Sequence, residues 1–130
     1  MWMVPYAFQG TTYHLLMNAA ALFDIYEAYG SKGFVTDHIR GTGKKSFQNT
    51  CFFLAKLAEQ GELYRRYQGY DKGPIPTQEL FLRGLSPTDV PQAKKAIAQA
   101  VEAGFSREEA PEQKEIDVGL LELQKKTNDH

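Results

Sequence analysis

The stretch that decides the fold is SFQNTCFFLAKLAEQG, residues 46–61. Its apolar side chains recur every three or four residues, the spacing of one helix face, and are Phe47, Cys51, Leu54 and Ala58, with Phe53 and Leu57 beside them. Ser46 is a candidate N-cap and Gly61 a candidate stop. Because apolar residues surround so much of this helix, we expect it at the centre of the fold, with residues 62–68 continuing it after a kink.

Shorter patterns precede this central helix. Residues 4–8 and 12–16 are β-branched and aromatic segments around the turn Gln9-Gly10-Thr11, which predicts a hairpin, with Pro5 on an edge strand or just before it. Asn18 is placed to cap a helix over 18–29, which Gly30 closes. One helical turn is predicted at 34–40.

Two further helices are predicted after the glycine- and proline-rich loop at 69–76. Thr77 caps a short one through Leu82, and Ser86 caps a longer one over 87–103 that ends before Gly104. Pro91 can shift the start of the longer helix by a few residues. The predicted core is formed by Phe47, Cys51, Leu54, Leu57, Ile97 and Val101.

The sequence therefore predicts a mainly α protein, a compact helical domain with a short N-terminal β-hairpin and a polar C-terminal tail. The body, 1–105, carries 11 basic and 9 acidic residues, whereas the tail, 106–130, carries 4 and 7. The tail begins with a polar, proline-broken run and regains an apolar pattern that could dock into a partner groove. These candidate partner-binding residues are Ile116, Val118, Leu120, Leu121 and Leu123.

Composition limits the class of protein and the cellular compartment that we expect. Hydrophobic residues make up 42% of the chain, enough for one core, and its formal net charge of -1 gives no long-range field for nucleic acid. Cys51 is the single cysteine, so no internal disulfide can form, and we expect the reducing cytoplasm. We expect no secretory leader, and no apolar run of the sequence approaches the ~20 residues that span a bilayer.

Three patterns in the sequence are candidate sites of chemistry, and each lacks a feature that its chemistry requires. Residues 41–46, GTGKKS, resemble a phosphate loop, but Lys45 stands where Ser or Thr should follow the Gly-Lys pair. The three histidines and one cysteine make no zinc spacing. Asp37 and His38 with Ser46 or Cys51 lack a nucleophile elbow. We therefore predict no enzyme, and no catalytic, cofactor-binding or metal-binding residues.

A basic patch is the basis of a rival function. Arg40, Lys44, Lys45, Arg65 and Arg66, interleaved with Tyr64 and Tyr67, would suit a small nucleic-acid-binding or transcription-associated protein. Acidic Asp37, Glu59 and Glu62 interrupt the patch, which makes nucleic acid the less favoured partner. An enzyme of an unrecognised type is the third alternative.

Several phrases of the sequence carry a family resemblance: ALFDIYEAYG at 21–30, FFLAKLAEQGEL at 52–63, LSPTDV at 85–90 and EIDVGLLELQKKT at 115–127. With the N-terminal hairpin, their order resembles the small tail assembly chaperones of siphophages and prophages of Gram-positive bacteria. The resemblance implies a non-enzymatic helper in the host cytoplasm that binds the tape measure protein, with tail tube subunits as further candidate partners, and is missing from the mature virion. Self-association is also expected, because the apolar stripe of residues 47–57 exceeds what one small core covers.

Overall fold

The computed structural model describes residues 2–106. A hairpin of β1 (Met3–Phe8) and β2 (Thr11–Leu16) comes first, and four α-helices follow: α1 (Ala19–Tyr29), α2 (Lys44–Tyr67), α3 (Gln78–Gly84) and α4 (Val90–Phe105). Short 3-10 turns lie at Val35–Ile39 and Pro87–Asp89. The predicted mainly α fold with an N-terminal hairpin is confirmed.

The hairpin turn is tighter than the predicted three residues. Phe8 pairs with Thr11, so Thr11 belongs to β2 and the loop is Gln9-Gly10, with φ of 51° and 82°. Two consecutive positive φ values match the right-handed twist of the strands. Pro5 lies within β1 opposite His14. Hydrogen-bonded and non-hydrogen-bonded pairs alternate along an antiparallel ladder, and Pro5 occupies a non-hydrogen-bonded pair when they are counted from Phe8–Thr11 next to the turn. The missing N–H of Pro5 therefore removes no hydrogen bond between the strands.

The helix ends follow local signals in most cases. The Asn18 side chain accepts from the Ala21 N–H at 2.9 Å, and Gly30 ends α1 with φ of 90°. The Thr77 hydroxyl accepts from the Leu80 N–H at 3.2 Å. Proline displaces the start of the last helix as anticipated, because Pro87–Asp89 forms a 3-10 turn and α4 begins at Val90.

Two predictions about α2 were wrong. Its N-cap is Gly43 rather than Ser46, whose hydroxyl lies inside the first turn and donates to the Ile39 carbonyl at 2.8 Å. Gly61 does not stop the helix, which runs through to Tyr67. A Cβ on Gly61 would lie 1.6 Å from the His14 carbonyl oxygen, so this glycine allows the backbones of α2 and β2 to come close together.

One hydrophobic core joins the hairpin to the helices. Cys51, Leu54, Leu57 and Ile97 are fully buried and Val101 nearly so, as predicted. Phe47 was also predicted to be a core residue, but it is half-buried and packs against the edge of the core. On the hairpin side, Phe81 of α3 is fully buried among aromatic rings of the strands, those of Tyr6, Phe8 and Tyr13.

The predicted tail begins where α4 ends. Its candidate partner-binding residues lie outside the described residues: Ile116, Val118, Leu120, Leu121 and Leu123. Within residues 2–106, no helix has both the length and the apolarity to cross a membrane.

Candidate partner-binding groove

An open apolar groove lies where the start of α2 meets the end of α3 and the start of α4. It encloses a volume of about 570 Å³. Its apolar lining comes from Phe47, Leu82, Leu85, Pro87, Val90 and Pro91. A concave apolar surface of this size can accept several side chains of a bound peptide segment.

Local sequence explains why these side chains line a groove and do not close over it. Leu85 follows α3 and is buried, whereas Leu82 and Val90 are half-buried. The Pro87–Asp89 turn separates α3 from α4, and the Asp89 carboxylate accepts from the Ser86 N–H at 3.0 Å, which fixes this corner. Phe47 of α2 lines the same groove as Val90 of α4, so the apolar lining continues from one helix to the next.

A cation stands at the edge of this groove. Lys94 of α4 donates to the Ser46 hydroxyl at 2.9 Å and to the Gly41 carbonyl. Ser46 in turn donates to the Ile39 and Gly41 carbonyls at 2.8 and 3.1 Å, so this network ties the loop before α2 to α4. No carboxylate is among the lining residues of the groove, which is therefore suited to an apolar segment with acidic neighbours.

The phosphate-loop resemblance of residues 41–46 has a structural explanation. The Ser46 hydroxyl and the Gly41 carbonyl are engaged by one another and by Lys94. Gly41 has φ of 97°, a value that lets its carbonyl take part in this network. These groups stabilise the entry into α2.

The candidate nucleophile set is not assembled as a catalytic array. Asp37 accepts from the Phe34 N–H at 3.0 Å and forms an ion pair with Arg40 at 2.6 Å. The His38 ring stacks on Tyr29, with ring centroids 5.1 Å apart. Cys51 is fully buried, and this burial raises the pKa of its thiol to about 11, so the reactive thiolate is strongly disfavoured near neutrality.

The candidate basic patch is divided between the two ends of α2. Lys44 and Lys45 lie in its first turn and Arg65 and Arg66 in its last, about 30 Å apart at 1.5 Å per residue. Arg40 is engaged by Asp37, as described above. Tyr64 and Tyr67 stack on each other at the far end, with ring centroids 6.5 Å apart. The structure therefore does not bring the five cations together.

Glu62 is an important polar residue that the sequence analysis treated only as an interruption. It is 6% exposed and binds Arg65 at 2.7 Å and Arg66 at 3.0 Å. It also accepts from the Gly73 N–H, and Arg66 donates to the Gly73 carbonyl at 2.9 Å, so the cluster anchors the loop after α2. The spacing of one glutamate with arginines three and four residues later was the available signal.

The pKa of Glu62 reflects a competition between burial and its partners. Burial raises the pKa of the carboxyl, but the Gly73 N–H and the guanidinium groups of Arg66 and Arg65 together lower it below its ordinary value. Glu62 is thus held ionised in the folded protein. Its contacts with Arg65, Arg66 and Gly73 give it a structural role at the loop after α2.

Across residues 2–106, no group of three or more His, Cys, Asp and Glu side chains is arranged to hold a metal ion. Comparisons of the chain with protein-family models, with curated proteins and with solved structures found no match.

Proposed function

We propose that this chain is a non-enzymatic assembly chaperone for phage tails that binds the tape measure protein during tail morphogenesis. Tail tube subunits are further partners in this proposal. The chaperone acts in the cytoplasm of the bacterial host and is left out of the finished virion.

The apolar groove is the observation that carries this proposal. A chaperone must present an apolar surface to an unassembled client, and Phe47, Leu82 and Val90 are half-buried side chains on an open surface. The tape measure protein would place apolar side chains in this groove and an acidic side chain near Lys94. The resemblance of the four sequence phrases to tail assembly chaperones supports the choice of client.

Co-expression with the tape measure protein of the same phage tests the proposal. The affinity-tagged full chain should capture the tape measure protein, and Val90→Asp should weaken this capture by about tenfold or more, as loss of a central interface contact does. Val90 begins α4, where the helix dipole favours a carboxylate, so the variant should stay folded.

Gln99→Asp is the matched control. It introduces the same charge in the same helix at an exposed position nine residues further on, which is two and a half turns away and therefore on the opposite face. Capture by this variant should equal that of the unchanged chain. Failure of the unchanged chain to capture the tape measure protein would overturn the proposed function, and equal loss in both variants would remove the groove from it.

A further inference from the structure

We propose that residues 116–123 of the chain bind in the apolar groove of the same molecule. This inference rests on the groove and on the sequence of the segment, and it does not depend on which client the protein assists.

The residues between the end of α4 and Ile116 are numerous enough for the segment to reach the groove. α4 spans sixteen residues, about 24 Å, and the groove lies against its first turn at Val90 and Pro91. Ile116 follows Ser106 by ten residue steps, and an extended chain covers up to about 33 Å over that length. The segment can therefore return along α4 to the groove.

The chemistry of the segment matches that of the groove. Ile116, Leu120 and Leu123 recur at steps of four and three, which provides a set of anchors for an apolar groove. Residues 115–123 contain three carboxylates, Glu115, Asp117 and Glu122, and no basic residue. The groove has the opposite charge, with Lys94 among its lining residues and Lys44 and Lys45 exposed at the start of α2.

Tethering favours the groove of the same molecule over that of a second copy. A short connection within one chain gives an effective concentration in the millimolar range, well above ordinary protein concentrations. A weak apolar contact that would fail between separate molecules can then be populated within one. The consequence is competition, because a client that enters the groove must displace the segment.

A spin label on the full-length chain tests this contact. Cys51 is fully buried, so Gln124→Cys supplies a single accessible thiol for a nitroxide next to the segment. The label should broaden the methyl NMR signals of Leu82, Leu85 and Val90 in the groove. The methyl signals of Leu63, sixteen residues after Phe47 along α2, should remain sharp.

Two variants in the labelled chain distinguish the proposed contact from general attraction. Leu120→Asp removes an apolar anchor and should abolish the broadening in the groove. Gln113→Asp adds the same charge outside the segment and should preserve it. Unchanged methyl positions elsewhere will verify that the body remains folded in both variants.

A mixture of two differently labelled chains distinguishes binding of the segment within one molecule from binding to a second copy. Isotope-labelled chain without the added cysteine is combined with spin-labelled chain that carries no isotope. Sharp groove signals in this mixture are expected. Broadening that persists in the mixture would assign the segment to a second copy and overturn the proposal, as would sharp groove signals in the singly labelled chain.

Discussion

At the scale of single residues, Gly61 shows how one missing side chain sets the distance between two elements. A Cβ at this position would lie 1.6 Å from the His14 carbonyl oxygen and 2.7 Å from the carbonyl carbon. The obstacle is strand backbone, which cannot rotate away as a flexible side chain would. Helix propensity alone favours alanine over glycine by about 1 kcal/mol, so packing and propensity make opposite predictions here.

We expect packing to prevail, so that Gly61→Ala lowers the free energy of unfolding by about 2 to 3 kcal/mol. Urea denaturation measures the change. Gly43→Ala is the comparison variant, because its added Cβ meets nothing within 4 Å and its φ is -85°. That variant should lose less than about 1 kcal/mol, the scale of a cap change. A Gly61→Ala protein as stable as the unchanged chain would contradict the close approach.

The Glu62 cluster predicts a dependence of stability on pH. Since the pKa of Glu62 is lowered on folding, its ionised form stabilises the protein above the ordinary carboxyl pKa. This contribution should disappear as the pH falls below about 4.5 and through the lower pKa of the folded state. Glu62→Gln should be less stable near neutrality and should show a smaller loss on acidification, as measured by thermal unfolding from pH 7 to pH 3.

Glu79→Gln provides the control for this pH series. Glu79 pairs with Arg83 at 2.6 Å, but both side chains are mostly exposed, so its removal should change stability by less than about 1 kcal/mol. An identical acid profile for the Glu62→Gln protein and the unchanged chain would show that other carboxyls control acid stability.

At the scale of elements, α2 is the helix on which the other elements assemble, and its faces differ in their energetic roles. Leu54 is fully buried in the core, whereas Phe47 lines the groove. We expect Leu54→Ala to cost about 2 to 5 kcal/mol, the range for a buried leucine, and Ile97→Ala on α4 to cost a similar amount.

Phe47→Ala should cost less than Leu54→Ala although it removes a larger side chain, because Phe47 is only half-buried and packs against the edge of the core. Chemical denaturation of the three variants measures the order of their stabilities. If Phe47→Ala were the most destabilising of them, Phe47 would belong to the core rather than to the groove.

At two places, a helix glycine allows the helix backbone to come close to the backbone of the N-terminal segment. Gly61 of α2 faces His14, and a Cβ on Gly104 of α4 would lie 2.3 Å from the Met17 carbonyl oxygen. Both glycines lie inside helices that continue beyond them. Their predicted role as helix ends was reasonable from local statistics, but the partner that explains them is more than forty residues away in the chain.

At the scale of the whole molecule, one apolar cluster within residues 2–106 joins both strands to α1, α2, α3 and α4. We therefore expect a chain that ends at Phe105 to unfold cooperatively by circular dichroism, with a thermal midpoint lowered only by loss of the groove contact. A collapse of cooperativity would show that residues beyond Phe105 belong to the core.

Self-association remains a prediction at this scale. The described surface includes several largely exposed aromatic side chains: Phe23, Phe34, Tyr67, Tyr70 and Phe105. Static light scattering over a range of concentrations should show the mean mass rising above that of the monomer. A constant monomer mass at the highest concentration would contradict this prediction.

The sequence by itself determined the features whose interactions close within a few residues. Asn18 and Thr77 cap helices through bonds to the third residue after them, and the Gln9-Gly10 loop sets the hairpin through its own backbone angles. The apolar spacing of residues 46–61 likewise identified the central helix, because burial follows the helical period. The mainly α fold could be predicted from these local signals.

Only the tertiary structure decided what distant partners control. Gly61 is the position where the backbones of α2 and β2 come close together, because His14 lies against it. Phe47 lines the groove because α2, α3 and α4 leave an open space between them. Glu62 gained its importance from the Gly73 loop as well as from neighbouring arginines. The candidate site depends on these contacts between elements. Residue spacing within one helix cannot predict a groove that forms only where three helices pack together.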